Sequence, residues 1–135
     1  MKIKMLFMMI VGILFVPACG QESLNERHEI YLSEKAWEIK ESIEVETYIL
    51  DIPDEMLSNY EASGITFLRE YLGKEVIRHT YELNEEDVEG KHLEAVVFEA
   101  DGEIIGGHGV NSSWEPGIFN LDEKERLIKK QRIKH

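Results

Sequence analysis

Hydrophobic and polar positions follow three different rhythms along this chain. The first is an unbroken apolar run. Residues 5–16 (MLFMMIVGILFV) carry no charge and follow a short positive start at Lys2 and Lys4. A membrane-spanning helix takes about 20 apolar residues. This run has 12, the length expected of a signal-peptide core. The second rhythm is a spacing of three and four. Ser23, with Glu26 three residues on, fits a capping box. Leu24, Tyr31, Leu32, Ala36 and Ile39 then share one side of a helix predicted over 23–40. Pro53, Asp54 and Glu55 suit a second helix start, with Met56, Leu57 and Tyr60 as its apolar face. Gly64 interrupts, and Phe67, Leu68, Tyr71 and Leu72 add a turn or two before Gly73. Residues 121–134 read as a closing charged helix.

The third rhythm is alternation at period two, over 43–49 and 76–83, which predicts strands, and 93–100 and 103–110 read as two further strands. Residues 84–90 separate two of them as an acidic loop, and Asp101-Gly102 is the strongest hairpin signal in the chain. The resulting order is helix, strand, helix, three strands, helix. It predicts an α+β domain with a mainly antiparallel sheet of about four strands and the helices packed on one face.

After the apolar run comes Val16-Pro17-Ala18-Cys19, which resembles a bacterial lipobox. Cys19 is the only cysteine, so it has no internal disulfide partner, and an odd cysteine in an exported chain needs another role. An ordinary secretion signal or an uncleaved anchor would leave it without one. The expectation is therefore a signal peptide over 1–18, diacylglycerol on Cys19, a tether over 19–22, one domain over 23–121 and a basic helix or tail over 122–135. Two acyl chains satisfy the need of stable anchoring for more than one lipid. The expected location is the extracytoplasmic face of the cell membrane.

The whole chain has a net charge of −12, and without residues 1–18, which hold two lysines and no acid, it has −14. Such an acidic body is repelled by phosphate backbones, so nucleic acid is not an expected partner. The last residues are locally basic (Lys124, Arg126, Lys129, Lys130, Arg132, Lys134). They read as a solvated helix end suited to the carboxyl end of the dipole, with contact to anionic headgroups as the alternative.

Over residues 36–117 the chain resembles a small Firmicute family described as domain of unknown function 4830. The residues carrying the likeness are Ala36-Trp37-Glu38-Ile39, Ile52-Pro53, Tyr71-Leu72-Gly73-Lys74-Glu75-Val76, Thr80-Tyr81 and Asp101-Gly102-Glu103-Ile104-Ile105-Gly106-Gly107. This chain has Ala36 where the family tends to have glycine, and His108 where it tends to have an acid. The resemblance implies a fold and a cell-surface placement, and it brings no activity.

Candidate chemistry is sparse. His28-Glu29 begins like a zinc-protease helix, but the fourth position on is Leu32, so the second imidazole is missing. His79, His92 and His108 lie on separate strands or loops, and a metal needs converging ligands. Glu85, Asp87, Glu89 and Gly90 match the first half of a calcium loop, whose twelfth position here is Val96 rather than glutamate. Gly106, Gly107, His108 and Trp114 mark the expected ligand or partner surface. Ser112 and Ser113 lack a nucleophile-elbow context. Trp37 and Trp114 suit a core at least as well as a cleft.

The expected function is thus a lipid-anchored binding domain for an unknown protein or small ligand, with no cofactor and no catalytic residue assigned. A metal-dependent or hydrolytic extracytoplasmic enzyme is the alternative, and a calcium module the weaker one. Cys19→Ala is expected to release the protein from membranes or leave it unprocessed in a fractionation experiment. Membrane-bound, fully lipidated protein with alanine at that position would contradict the lipobox reading.

Overall fold

The computed structural model describes residues 26–134. The apolar run, Cys19, the 19–22 tether and the Ser23 capping box lie outside the described residues. Helix α1 covers 26–33, followed by β1 (Ile39–Ile49), α2 (Asp54–Ala62), β2 (Glu75–Glu86), β3 (His92–Ala100), β4 (Glu103–Val110), β5 (Ile118–Phe119) and α3 (Lys124–Lys129). The five strands pair antiparallel in chain order. Asp101 and Gly102 both have positive φ, 53° and 78°, as a tight hairpin between β3 and β4 demands.

The central strand explains the layering. Leu93, Ala95 and Val97 pack with Tyr81, Leu83, Leu32 of α1 and Leu127 of α3. The alternate residues Val96, Phe98 and Ala100 pack with Val76, Leu57 of α2 and Leu68. Successive side chains on a strand point to opposite faces. The sheet therefore separates two cores, with α1 and α3 on one side and α2 on the other. A strand buried on both faces reads as a near-continuous apolar run, which is how residues 93–100 read. The α+β class with an antiparallel sheet is as expected. In detail there are five strands among the described residues rather than about four, and the helices divide between the two faces.

Element limits shift for local reasons. The first helix stops at 33 rather than near 40, because Ala36 turns left-handed with φ 71°. The Trp37 amide donates back to the Leu32 carbonyl at 2.9 Å. That turn sends Trp37 into the core, where it is 1 % exposed and its indole N–H donates to the Leu121 carbonyl at 2.8 Å. The supposed acidic loop is partly strand, since β2 runs on to Glu86, paired with His92. β5 is too short for periodicity to reveal.

The carboxyl-terminal segment belongs to the domain and is not an appendage. Leu127 and Ile133 are each 3 % exposed, and Ile133 bridges Asp87. Its cations sit on the acidic body: Lys124 on Glu85 at 2.8 Å, Lys134 on Glu86 at 3.1 Å, and the Arg132 guanidinium 4.6 Å from the Trp114 ring centre. Gln131, with φ 59°, ends α3 and lets the chain return to Asp87.

A side chain at Gly102 meets no neighbour but must adopt positive φ, which costs an L-residue roughly 1–2 kcal/mol. Gly107 is the opposite case, because a Cβ there would stand 2.6 Å from the Val96 carbonyl oxygen. Gly102→Val is expected to lower stability by about 1–2 kcal/mol, and Gly107→Ala by about 1–3 kcal/mol from overpacking. Urea unfolding measures both, and an unchanged midpoint for Gly102→Val would mean the turn is misassigned.

Candidate functional site

The first core contains a polar knot. In α1, His28 lies four residues before Leu32, so both side chains fall on the same helix face, and both are fully buried. Glu99 follows Leu93, Ala95 and Val97 in the inward phase of β3, and it is 5 % exposed. His79 and Tyr81 hold the same phase of β2, with Cα partners Val97 and Ala95. Three elements distant in sequence thus deliver two imidazoles, a carboxylate and a phenol to one spot.

His28 spans the group. Its Nε2 lies 2.5 Å from Glu99 Oε2, and its Nδ1 lies 2.5 Å from the Tyr81 hydroxyl. The ring meets His79 edge to face, with centres 4.3 Å apart. His79 Nε2 stands 3.9 Å from the other Glu99 oxygen and has no hydrogen-bond partner although that atom is buried. Burial, reinforced by the Glu99 and Glu29 charges, pushes the Tyr81 hydroxyl up to about 12, so it remains a neutral O–H. Burial also lowers the His79 imidazole, with His28 adding to the effect and Glu99 opposing it. A neutral imidazole holds one proton and one lone pair, the form in which histidine ligates metals. His28, His79 and Glu99 have ligating atoms all within 4.8 Å of one another.

The residues singled out from the sequence do not gather here, apart from His79. His92 is near the surface, with Nδ1 2.8 Å from the Leu83 carbonyl oxygen and Nε2 3.5 Å from Glu86. His108 is 3 % exposed on the opposite face, against Tyr60 and Phe98. Gly106 faces the Phe67 ring, Gly107 faces Leu121 and Tyr31, and Gly109 faces Phe119. Of the expected ligand surface, Gly106 and Gly107 are partly exposed with neighbouring groups close on their Cα side, and His108 is buried. Trp114 borders a cavity of about 410 Å³ that Pro116, Asn120, Arg126 and Arg132 also line.

In the calcium candidate, Asp87 is 2 % exposed and serves as the hub of a turn. Its carboxylate accepts from the Glu89 and Lys91 amides at 2.9 and 3.0 Å and from Asn111 Nδ2 at 2.9 Å. Burial works to raise this carboxyl, but these donors outweigh it and leave it below the usual range. Glu85 turns elsewhere, to Lys124 and to the Glu38 amide. Among the described residues, Glu85, Asp87 and Glu89 do not bring their carboxylate oxygens within 4.8 Å of one another.

Sequence reasoning set aside His28 with the failed protease motif and overlooked Glu99 and Tyr81. The available signal was phase. A carboxylate aligned with Leu93, Ala95 and Val97 is aimed inward, and a buried carboxylate requires a partner. No family model matches the chain, and neither does any curated protein or solved structure.

Burial lowers His108 from its ordinary 6.5 to about 4, against a small raising effect from the Gly109 carbonyl. The unfolded chain takes up this proton near pH 6.5 while the folded one resists until about 4. Stability is therefore expected to fall as pH drops through that window, by on the order of 3 kcal/mol for this group. His108→Leu should remove about one proton from the slope of unfolding free energy against pH between 4 and 6.5. Identical slopes for the two proteins would show that His108 titrates freely.

Proposed function

We propose that this protein is a lipid-anchored, extracytoplasmic binding domain that offers the edge strand β1 to an extended segment of a partner protein. The observation carrying the reading is the exposure of Ile43, Val45 and Ile49, at 50, 57 and 56 %, on a strand at the end of the sheet order. Val45 and Ile49 are four residues apart in the regularly paired stretch and share one face, while Ile43 lies at the bulge before it. The strand's bulges lie between Ile39 and Glu44, and pairing with β2 is regular from there to Ile49. A regular edge presents unpaired backbone groups that a further strand can complete, with alternate side chains supplying specificity.

Charge narrows the partner. Glu41, Glu44 and Glu46 are exposed among the apolar positions of β1, on a chain of net charge −12. A segment alternating apolar and basic residues complements that strip, and acidic surface residues discourage self-association at the edge. The lipobox around Cys19 and the resemblance to a Firmicute surface family support placement outside the membrane. The enzyme alternative draws on the His28–His79–Glu99 cluster. These residues are 0, 8 and 5 % exposed, an arrangement suited to holding an ion rather than turning over a substrate.

A photo-crosslinking residue at Val45 in the anchored protein is expected to give a discrete partner adduct, and one at Ser58 on α2 is not. Combining the crosslinker at Val45 with Ile49→Glu should abolish the adduct while stability changes by about 0.5 kcal/mol or less, as for surface substitutions generally. Equal adducts from both probe positions, or none from Val45, would contradict the reading.

A further inference from the structure

We propose that His28, His79 and Glu99 form a binding site for one divalent transition-metal ion of the zinc class, which clamps α1 to the sheet. The donor set is two imidazole nitrogens and a carboxylate oxygen, a ligand combination that zinc uses with a fourth position left for water. The donors come from α1, β2 and β3, so an ion among them ties together parts of the chain up to 71 residues apart.

The spacings suit an ion after small adjustments. Ligand bonds of about 2.0–2.1 Å put tetrahedral donor atoms roughly 3.4 Å apart. His79 Nε2 and Glu99 Oε1 are 3.9 Å apart, slightly too far. His28 Nε2 and Glu99 Oε2 are 2.5 Å apart, a hydrogen bond that an ion would replace. The adjustment consists of one side-chain movement at each pair, within a cluster already held by backbone pairing of β2 with β3.

Two features separate this cluster from an ordinary buried hydrogen bond. The first is the unpartnered His79 Nε2, on a residue 8 % exposed, next to the Glu99 carboxylate. A buried polar atom with no partner costs stability, and an ion supplies the missing partner. The second is the Tyr81 hydroxyl on His28 Nδ1. A ligating histidine nearly always has its far nitrogen held by such a group, which fixes the ring and the tautomer. With an ion on Nε2, the imidazole proton sits on Nδ1 and is donated to the Tyr81 oxygen. The acidic surface of the molecule adds a general attraction for cations.

The test uses the soluble chain from Gly20 to His135, stripped with a chelator and then titrated separately with Zn²⁺ and Co²⁺. Circular dichroism first establishes that each protein is folded. The site predicts one ion per chain, a Tm higher by several degrees with Zn²⁺, and the strong visible absorption of four-coordinate Co²⁺. His79→Ala removes a ligand whose nitrogen makes no hydrogen bond, so it should fold and lose at least 100-fold in affinity. Tyr81→Phe, which leaves the three ligands intact, should lose roughly 10–100-fold. His92→Ala, on a surface histidine outside the cluster, should bind normally. Failure of the folded parent protein to bind either ion overturns the proposal. So does binding that survives His79→Ala undiminished, or that disappears with His92→Ala.

Discussion

A carboxylate inside an apolar layer dictates its surroundings, and Glu99 does so here. At 5 % exposure it has lost most of its water, and an unmatched buried charge costs far more than a domain can tolerate. The His28 imidazole meets it at 2.5 Å, with the Tyr81 hydroxyl on the ring's other nitrogen. Because His28 is in α1 and its partners are on β2 and β3, the match sets where the helix sits and how it is rotated. Leu32, four residues on, then falls into the first core beside Tyr81 and Leu83. A directional constraint thereby specifies a packing that hydrophobic burial alone would leave free to slide.

Around that point the two layers are built by opposite means. On the first face α1 and the segment around Leu121 come close to β4, where Gly107 and Gly109 offer no side chain and Tyr31, Leu121 and Phe119 fill the space. Trp37, turned inward by the left-handed Ala36, locks this layer through Phe119 and the Leu121 carbonyl. On the second face larger side chains of β3 and β4 meet α2, and His108 is buried neutral among aromatic rings. On the edge strand β1, Ile43, Val45 and Ile49 remain exposed while Ile39 packs on the first core and Tyr48 on the second, whereas the apolar residues of β3 are buried. The exposed apolar edge and the buried polar cluster are therefore at different places in one sheet.

Much of this fold was legible in the alternation of the chain. Strands β1 to β4, the Asp101-Gly102 hairpin and α2 follow from period and turn chemistry. The end of α1 was not legible, because only tertiary burial of Trp37 makes a left-handed alanine worthwhile. Nor was the division of helices between faces, which depends on β3 being buried on both sides. For the candidate site, His79 was visible as a possible ligand, but its companions were sought among the other strand histidines. Those alternate to the wrong face or to the rim: His108 pairs across from Val96 in the second core, while Glu99 shares the phase of Val97. Reading a helix motif as failed also hid that His28 would be buried on its own account. That the glycines of β4 leave room for neighbouring rings was also not legible, because it needs the neighbours to be known.

The central claim is that the His28–Glu99 pair holds α1 against the sheet, and a double-mutant cycle measures it directly. Unfolding free energies would be compared for the parent chain, His28→Leu, Glu99→Leu and the double variant, all with chelator present. Each single change strands a buried polar group and should cost about 3 kcal/mol. The double variant leaves neither group unmatched, so its loss should be well below the sum of the two, with a coupling of roughly 1–3 kcal/mol. Strictly additive losses would contradict the account, because they would mean that the two side chains stabilise the fold independently of each other.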